Sequence, residues 1–163
     1  MSSPILLLKL LVLLGIANGA PIFARKLLGD RLGMPLDFGV TLPDGQPLFG
    51  RSKTFRGLVV SVACTAMAAL LLEMDWRMGA ALAGSSMLGD LFSSFVKRRL
   101  GLKLHARAFA LDQVPEALLP LLLSRARLGL SAVDMALLLL GFVVLEVALS
   151  RLLFDLGIRD RPY

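Results

Sequence analysis

The chain has one cysteine, one histidine, one tryptophan and one tyrosine in 163 residues. A single cysteine, Cys64, excludes an intrachain disulfide, and its place in an apolar run predicts a small buried hydrophobe. A single histidine, His105, excludes a metal site built from several histidines. Its setting in a basic loop argues against a Ser-His-Asp triad. Charge is sparse, at 18% of residues, against about 25% in ordinary soluble domains. There is no internal repeat, no low-complexity tract, and no polar stretch long enough for a separate soluble domain.

What fills the chain is apolar. Hydrophobic residues make up 56% of it and the mean hydropathy is +0.76. They fall into blocks long enough to cross a bilayer core of ~30 Å at ~1.5 Å per helical residue. The blocks predict an all-α, polytopic integral membrane helical bundle. Its spans run from Pro4 to about Ala24, Gly57 to Met74, Met78 to Val96, Ala108 to Leu123 and Leu128 to Phe154. A cleaved signal peptide competes for the first span, because Ala17-Asn18-Gly19-Ala20 has small residues. No basic residue precedes its apolar core, however, and Pro21 would follow the cut, so it is read as a retained span. Gly79, Ala80, Ala83, Gly84, Ser85 and Ser86 in the third span predict close helix approach. Pro115 and Pro120 predict a kinked fourth helix.

Five spans put residues 25–56, residues 97–107 and the tail from Arg151 on one side. These hold six, five and three basic residues, 14 of the 18 in the chain. The positive-inside rule makes the two long basic loops cytoplasmic. The net charge of +6 is thus assigned to those loops and to a phosphate site, and nucleic acid is not expected as a partner. The predicted location is the inner cell membrane, multi-pass, with the polar site facing the cytoplasm.

The chemistry gathers at the end of the third span. On a helix, Asp90, Ser94 and Lys97 share a face at i, i+4 and i+7, and Arg98 flanks it. Such groups are costly in lipid and so are expected to line an internal polar cavity. A second stretch, Gly50-Arg51-Ser52-Lys53-Thr54-Phe55-Arg56-Gly57, lies at the mouth of the second span. Together these stretches and Leu111-Asp112-Gln113 offer Lys53, Arg56, Lys97, Arg98 and Lys103 as cations, with Asp90 and Asp112 as carboxylates. Cations suit phosphate oxygens, and Mg²⁺ takes one or two carboxylates plus phosphates and water. A nucleotide–magnesium site is the reading that uses both. A P-loop is excluded, because Arg51-Ser52 interrupt the spacing and no strand precedes it. Arg25, Lys26 and Arg99 are expected to set topology and meet lipid headgroups. Asp134 and Glu146 receive no role.

These residues carry a resemblance. Gly89-Asp90, Ser94, Lys97-Arg98, Gly101, Lys103 and Leu111-Asp112 resemble the signature of lipid cytidylyltransferases such as CDP-diacylglycerol synthase. Gln113, the Lys53-Thr54-Phe55-Arg56-Gly57 run, the five spans and the short length make the chain more similar to the CDP-archaeol synthase family. Two positions depart from that pattern. The Pro-Gly-His-Gly-Gly segment of the larger synthases is missing from Leu104 to Ala110. The second acid, three residues after Asp112, is replaced by Pro115, with Glu116 next.

The resemblance implies one transmembrane catalytic domain over residues 1–163. It would transfer a cytidylyl group from CTP to a membrane lipid phosphate, an archaeal ether lipid or phosphatidate, with release of pyrophosphate. The expected catalytic residues are Asp90, Lys97 and Asp112. Asp90 and Asp112 would hold Mg²⁺. Lys53 and Arg56 would hold the triphosphate, and Lys97 and Arg98 either the triphosphate or the lipid phosphate. Ser94 and Lys103 complete the substrate-binding set. The rival readings are a small transporter or channel, suggested by intramembrane acids, and a non-catalytic CTP-binding relative.

Overall fold

A computed structural model describes residues 2–102 and 112–158. Five helices follow in order: α1 (Pro4–Leu28), α2 (Phe55–Leu71), α3 (Trp76–Arg99), α4 (Gln113–Leu128) and α5 (Ala132–Asp155). Among the described residues there is no strand, only the isolated bridges Pro35–Thr54 and Thr41–Pro47 in the α1–α2 connection. The helix starts are written locally. Ser3 accepts a hydrogen bond from the Leu6 N–H with Pro4 at the first helical position, Thr54 accepts from Gly57, and Asp75 accepts from Arg77. Ser131 and Asp134 form a reciprocal capping box at α5.

The boundary between α4 and α5 differs from expectation, and α1 runs on past Ala24 to Leu28. The α4 helix continues past Leu123 to Leu128, because nothing in Ser124-Arg125-Ala126-Arg127 stops a helix. Gly129 does stop it, with φ of +64° and its N–H on the Arg125 carbonyl. The α5 helix therefore begins only after the Ser131 cap. The expected start of the fourth span at Ala108 lies outside the described residues.

The α3 helix is central, packing against α1, α2 and α4, while α5 rests on α1 and α4. The apolar core draws on every helix: Leu10, Leu13 and Leu14 from α1, Ala69 from α2, Leu82 from α3, Leu121 from α4, and Leu138 and Phe142 from α5. Small residues set the α2–α3 spacing. A Cβ on Gly79 would stand 2.6 Å from the Thr65 carbonyl oxygen and 2.7 Å from the Ala69 Cβ.

Polarity runs opposite to that of a soluble domain. Leu8, Val59, Met67, Leu71, Leu88, Phe92, Leu123, Leu140 and Val144 are exposed. Ser61, Thr65, Ser86, Ser93, Ser94, Arg98, Glu116 and Asp134 are buried. A surface of large aliphatic side chains, with polar and charged groups buried beside the apolar core, is stable in lipid and not in water. Cys64 follows this rule: it is exposed, where the sequence predicted burial. By length and composition α1 and α5 each suffice to cross a membrane, and α2 is a shorter apolar helix of 17 residues. This is a membrane protein.

Candidate active site

The polar groups converge where α3, α4 and the α1–α2 connection meet. The chain arrives there through a folded loop. Leu42, Pro43, Asp44 and Gly45 form a turn, closed by the Gly45 N–H on the Leu42 carbonyl at 2.9 Å. Asp37 then gathers three backbone N–H groups, of Gly39 at 3.0 Å, Phe49 at 3.0 Å and Gly50 at 2.8 Å. Burial alone would raise the Asp37 pKa, but these three donors outweigh it and hold the carboxyl below its ordinary value. The Lys53 carbonyl accepts from the Leu36 N–H at 2.8 Å, which fixes the backbone one turn before α2.

From this loop Lys53 reaches α3 and bridges both carboxylate oxygens of Asp90. Its side chain is 21% exposed. Burial works to lower the lysine pKa, yet the acids around it, Asp90 first and then Glu116 and Asp112, raise it above the ordinary range. Lys53 is a fixed cation at any physiological pH. One α3 turn pair further on, Lys97 meets Asp112 at the start of α4, at 2.6 Å. The site is therefore two lysine–carboxylate pairs side by side, with Lys97 also acting on the Asp90 charge.

Glu116, next to Pro115 where the family pattern has its second acid, joins the cluster. It lies one turn after Asp112 and is 9% exposed. Its carboxyl is hydrogen-bonded to that of Asp90. Two carboxyl groups in such contact share a proton or a cation. Glu146 of α5 is within electrostatic reach of Glu116. The signal in the sequence was the i, i+4 spacing from Asp112, which puts both acids on one face of α4. Pro120, inside α4, has no N–H to donate to the Glu116 carbonyl four residues back.

The other expected residues divide. Ser94 is buried on α3, 3% exposed, and Arg98 is 4% exposed, donating to the Leu102 carbonyl at 2.6 Å. Arg56 does not join the cluster. Its guanidinium is turned to the carbonyls of Gly29 and Arg31, at the end of α1. Lys103 lies outside the described residues. Of the three cations expected at lipid headgroups, Lys26 donates to the Gly157 carbonyl at 2.7 Å and Arg99 binds the α1–α2 loop. Asp134 is taken up by the α5 cap and by the Ser2 N–H and hydroxyl.

The donor set suits a divalent cation in one way. Asp90, Asp112 and Glu116 supply carboxylates, but among the described residues no group of three acids converges closely enough to cage a metal alone. Each aspartate instead has a lysine against it. An arrangement of this kind fits Mg²⁺ that completes its shell with phosphate oxygens and water. Phosphates would also give the displaced ammonium groups new partners.

The fold and site define a helical membrane protein with a charged, partly buried cluster of paired lysines and acids, a chemistry suited to phosphates. Sequence comparison gives the family. The family model for CarS-like CDP-archaeol synthase matches residues 4–163. A CDP-archaeol synthase of Thermofilum pendens is 33% identical over 155 residues, covering 91% of this chain and 76% of the relative. The one from Sulfurisphaera tokodaii is 31% identical over 156 residues, covering 91% and 89%. That of Saccharolobus islandicus is 35% identical over 116 residues, covering 67% of this chain and 66%, just under two thirds, of the relative. A solved structure described as an intramembrane enzyme for archaeal membrane lipids biosynthesis superposes with a TM-score of 0.76 at 31% identity, covering 86% of this chain and 90% of that one. The chain belongs to the CDP-archaeol synthase family.

Proposed function

We propose that this protein transfers the cytidylyl group of CTP to the phosphate of an archaeal ether lipid, forming a CDP-activated lipid and pyrophosphate. The observation that carries the proposal is the double pairing Lys53–Asp90 and Lys97–Asp112 inside a lipid-facing bundle. A lipid-phosphate oxygen would attack the α-phosphorus of CTP. The bond from that phosphorus to the α–β bridging oxygen breaks, and pyrophosphate leaves with the electron pair. The attacking phosphate is already an anion, so no dedicated general base is needed. The requirements are charge neutralisation and in-line placement.

The residues divide those tasks. Lys53 and Lys97 bind phosphate oxygens as point charges. Arg98 and Ser94 lie on the same stretch of α3 and complete the phosphate surface. Asp90 and Asp112 would hold Mg²⁺, with Glu116 as a further carboxylate. Bound there, Mg²⁺ supplies neutralisation of the triphosphate and of the leaving pyrophosphate. All five helices cross the membrane in this reading, and the excess of basic residues in the long loops turns the site to the cytoplasm. A conduction path is disfavoured, because lysines occupy the acids that would line it.

The test is incubation of the purified protein with CTP, Mg²⁺ and either an ether-linked lipid phosphate or phosphatidate, followed by mass spectrometry of the lipid product. CDP-ether lipid and pyrophosphate are expected. Asp90→Asn and Asp112→Asn should each lower turnover by roughly 10²-fold or more, the scale set by loss of a transition-state charge contact. Absence of any CDP-lipid from the wild-type protein overturns the proposal.

A further inference from the structure

We propose that Arg99 is a positioning residue for the reaction, clamping the loop that delivers Lys53 to Asp90. The proposal rests on the cytidylyltransferase reading in taking Lys53 and Asp90 as parts of the site. Arg99 is the last residue of α3. It lies nine residues beyond Asp90, about 14 Å along the helix at ~1.5 Å per residue. Its guanidinium is turned away from Asp90 and committed to the α1–α2 loop. One nitrogen, Nη1, binds the Asp44 carboxylate at 2.7 Å. The other, Nη2, donates to the carbonyls of Pro47 at 2.8 Å and Gln46 at 3.3 Å. The guanidinium carbon lies 5.3 Å from the centre of the Phe95 ring on the same helix. A basic residue at a membrane surface meets headgroups by default, but here every directed contact is to one loop of the protein.

That loop leads to Lys53 through fixed steps. Residues 40–48 are a small hairpin, held by the Leu42 N–H on Gln46 at 2.9 Å and the Leu48 N–H on Val40 at 3.0 Å. Arg99 holds its turn and its return limb. The next residues, Phe49 and Gly50, are bound by Asp37. The Lys53 N–H then donates to the Gly50 carbonyl at 3.2 Å, and the Lys53 carbonyl accepts from Leu36, the neighbour of Asp37. Past the turn, each step binds the backbone of the chain leading to Lys53, so the position of the Lys53 Cα is set by where the hairpin sits on α3. Both ends of this relay are on α3, at Arg99 and at Asp90. The clamp thus fixes a lysine from a long connection relative to the helix that carries its partner. The planar guanidinium serves here because it binds a carboxylate and two carbonyls at once, which a lysine ammonium does not reproduce.

The test uses the full-length protein in lipid nanodiscs with CTP, Mg²⁺ and an ether-lipid phosphate, with kcat, KM for CTP and Tm measured together. Arg99→Ala is expected to lower kcat/KM by about tenfold or more with Tm shifted by only a few degrees, and Arg99→Lys to recover part of that loss. The decisive readout is the double variant. Because Arg99 acts through Lys53, adding Arg99→Ala to Lys53→Ala should change the rate by less than about twofold. Multiplicative losses overturn the proposal, since Arg99 would then act on its own. Wild-type kinetics of Arg99→Ala, with Lys53→Ala slowed to a measurable residual rate, also overturn it while leaving the site reading intact. Wild-type kinetics of Lys53→Ala instead remove the site reading and the proposal with it. If Arg99→Ala does not fold, Asp44→Asn carries the same test, breaking the ion pair alone. A loss of about threefold that vanishes in the Lys53→Ala background is expected, and an unchanged rate overturns.

Discussion

Gly89 lies so close to Pro115 that a Cβ at residue 89 would stand 2.1 Å from the Pro115 carbonyl oxygen and 2.9 Å from the Glu116 nitrogen. The contact explains why glycine precedes Asp90. Only a residue without a side chain lets the α4 backbone come near enough for Glu116 to meet Asp90. It also gives Pro115 a place, with its carbonyl packed on α3 and the acid carried by the next residue. Gly89→Ala should push α3 and α4 apart and cost about 1–3 kcal/mol or more, as overpacking does. Turnover should fall by a larger factor than stability, because Asp90 and Glu116 separate. Gly84→Ala on the same helix has nothing within 4 Å of the added atom and serves as the control. It should leave turnover unchanged and Tm equal or slightly higher, since alanine favours a helix by about 1 kcal/mol. Equal effects of the two substitutions in activity and thermal-unfolding assays would rule out the close-packing argument.

Glu116 makes a second prediction. If its carboxyl helps to hold Mg²⁺, Glu116→Gln should raise the Mg²⁺ concentration needed for half-maximal rate by about 10-fold, the lower end of the effect of removing an outer partner of a metal site. The rate at saturating Mg²⁺ should fall less. If Glu116 only shares a proton with Asp90, the substitution leaves the Mg²⁺ dependence where it was. Activity titrated with Mg²⁺ from micromolar to tens of millimolar separates the two outcomes, and a chelator should abolish turnover reversibly.

The loop supplies a pH prediction. The Asp37 carboxyl is held below its ordinary value in the folded protein by the N–H groups of Gly39, Phe49 and Gly50. Its contribution to stability is therefore complete above the unfolded carboxyl pKa of ~3.9. It is lost as pH falls below that value and through the lower folded pKa. Asp37→Asn should lower stability at pH 7 by about 1–3 kcal/mol, the range for hydrogen bonds to a charged group. It should also flatten the decline of Tm between pH 5 and about pH 3. Thermal unfolding of both proteins across that range is the measurement. Parallel pH profiles would show that Asp37 is not the titrating group.

Much of this was readable beforehand, for reasons that can be stated. The apolar blocks gave five helices, because span length depends only on local composition. The line between α4 and α5 was misplaced because a turn of Gly129 and a capping serine decides it, and hydrophobicity does not. Asp90, Lys97 and Asp112 were legible from helical spacing and family pattern. Glu116 was harder, since the pattern puts an acid at 115 and the close approach at Gly89 shifts the useful position by one. The cations were the least legible. Arg56 and Arg99 sit in similar basic surroundings in the sequence. Which of them faces phosphate, lipid or a backbone carbonyl is decided by the path of the α1–α2 loop, which no local rule encodes.

Arg56 provides the sharpest separation between pattern and geometry. By motif it belongs with Lys53 as a triphosphate ligand. In the fold its Nη1 donates to the Gly29 carbonyl at 2.8 Å and to the Arg31 carbonyl, across the end of α1. Carbonyls past a helix C-terminus lack donors of their own, and a cation there also favours the helix dipole. Arg56→Ala should therefore cost up to about 1 kcal/mol, because the exposed carbonyls exchange the guanidinium for water. At about 2–4 °C per kcal/mol for a chain of this size, the loss is visible in Tm. The KM for CTP should stay within about twofold, because uniform substrate binding is untouched. Arg56→Lys keeps a donor and should recover part of the Tm. A tenfold rise in KM with Tm unchanged would return Arg56 to the triphosphate, and would require its guanidinium to leave α1 when CTP binds.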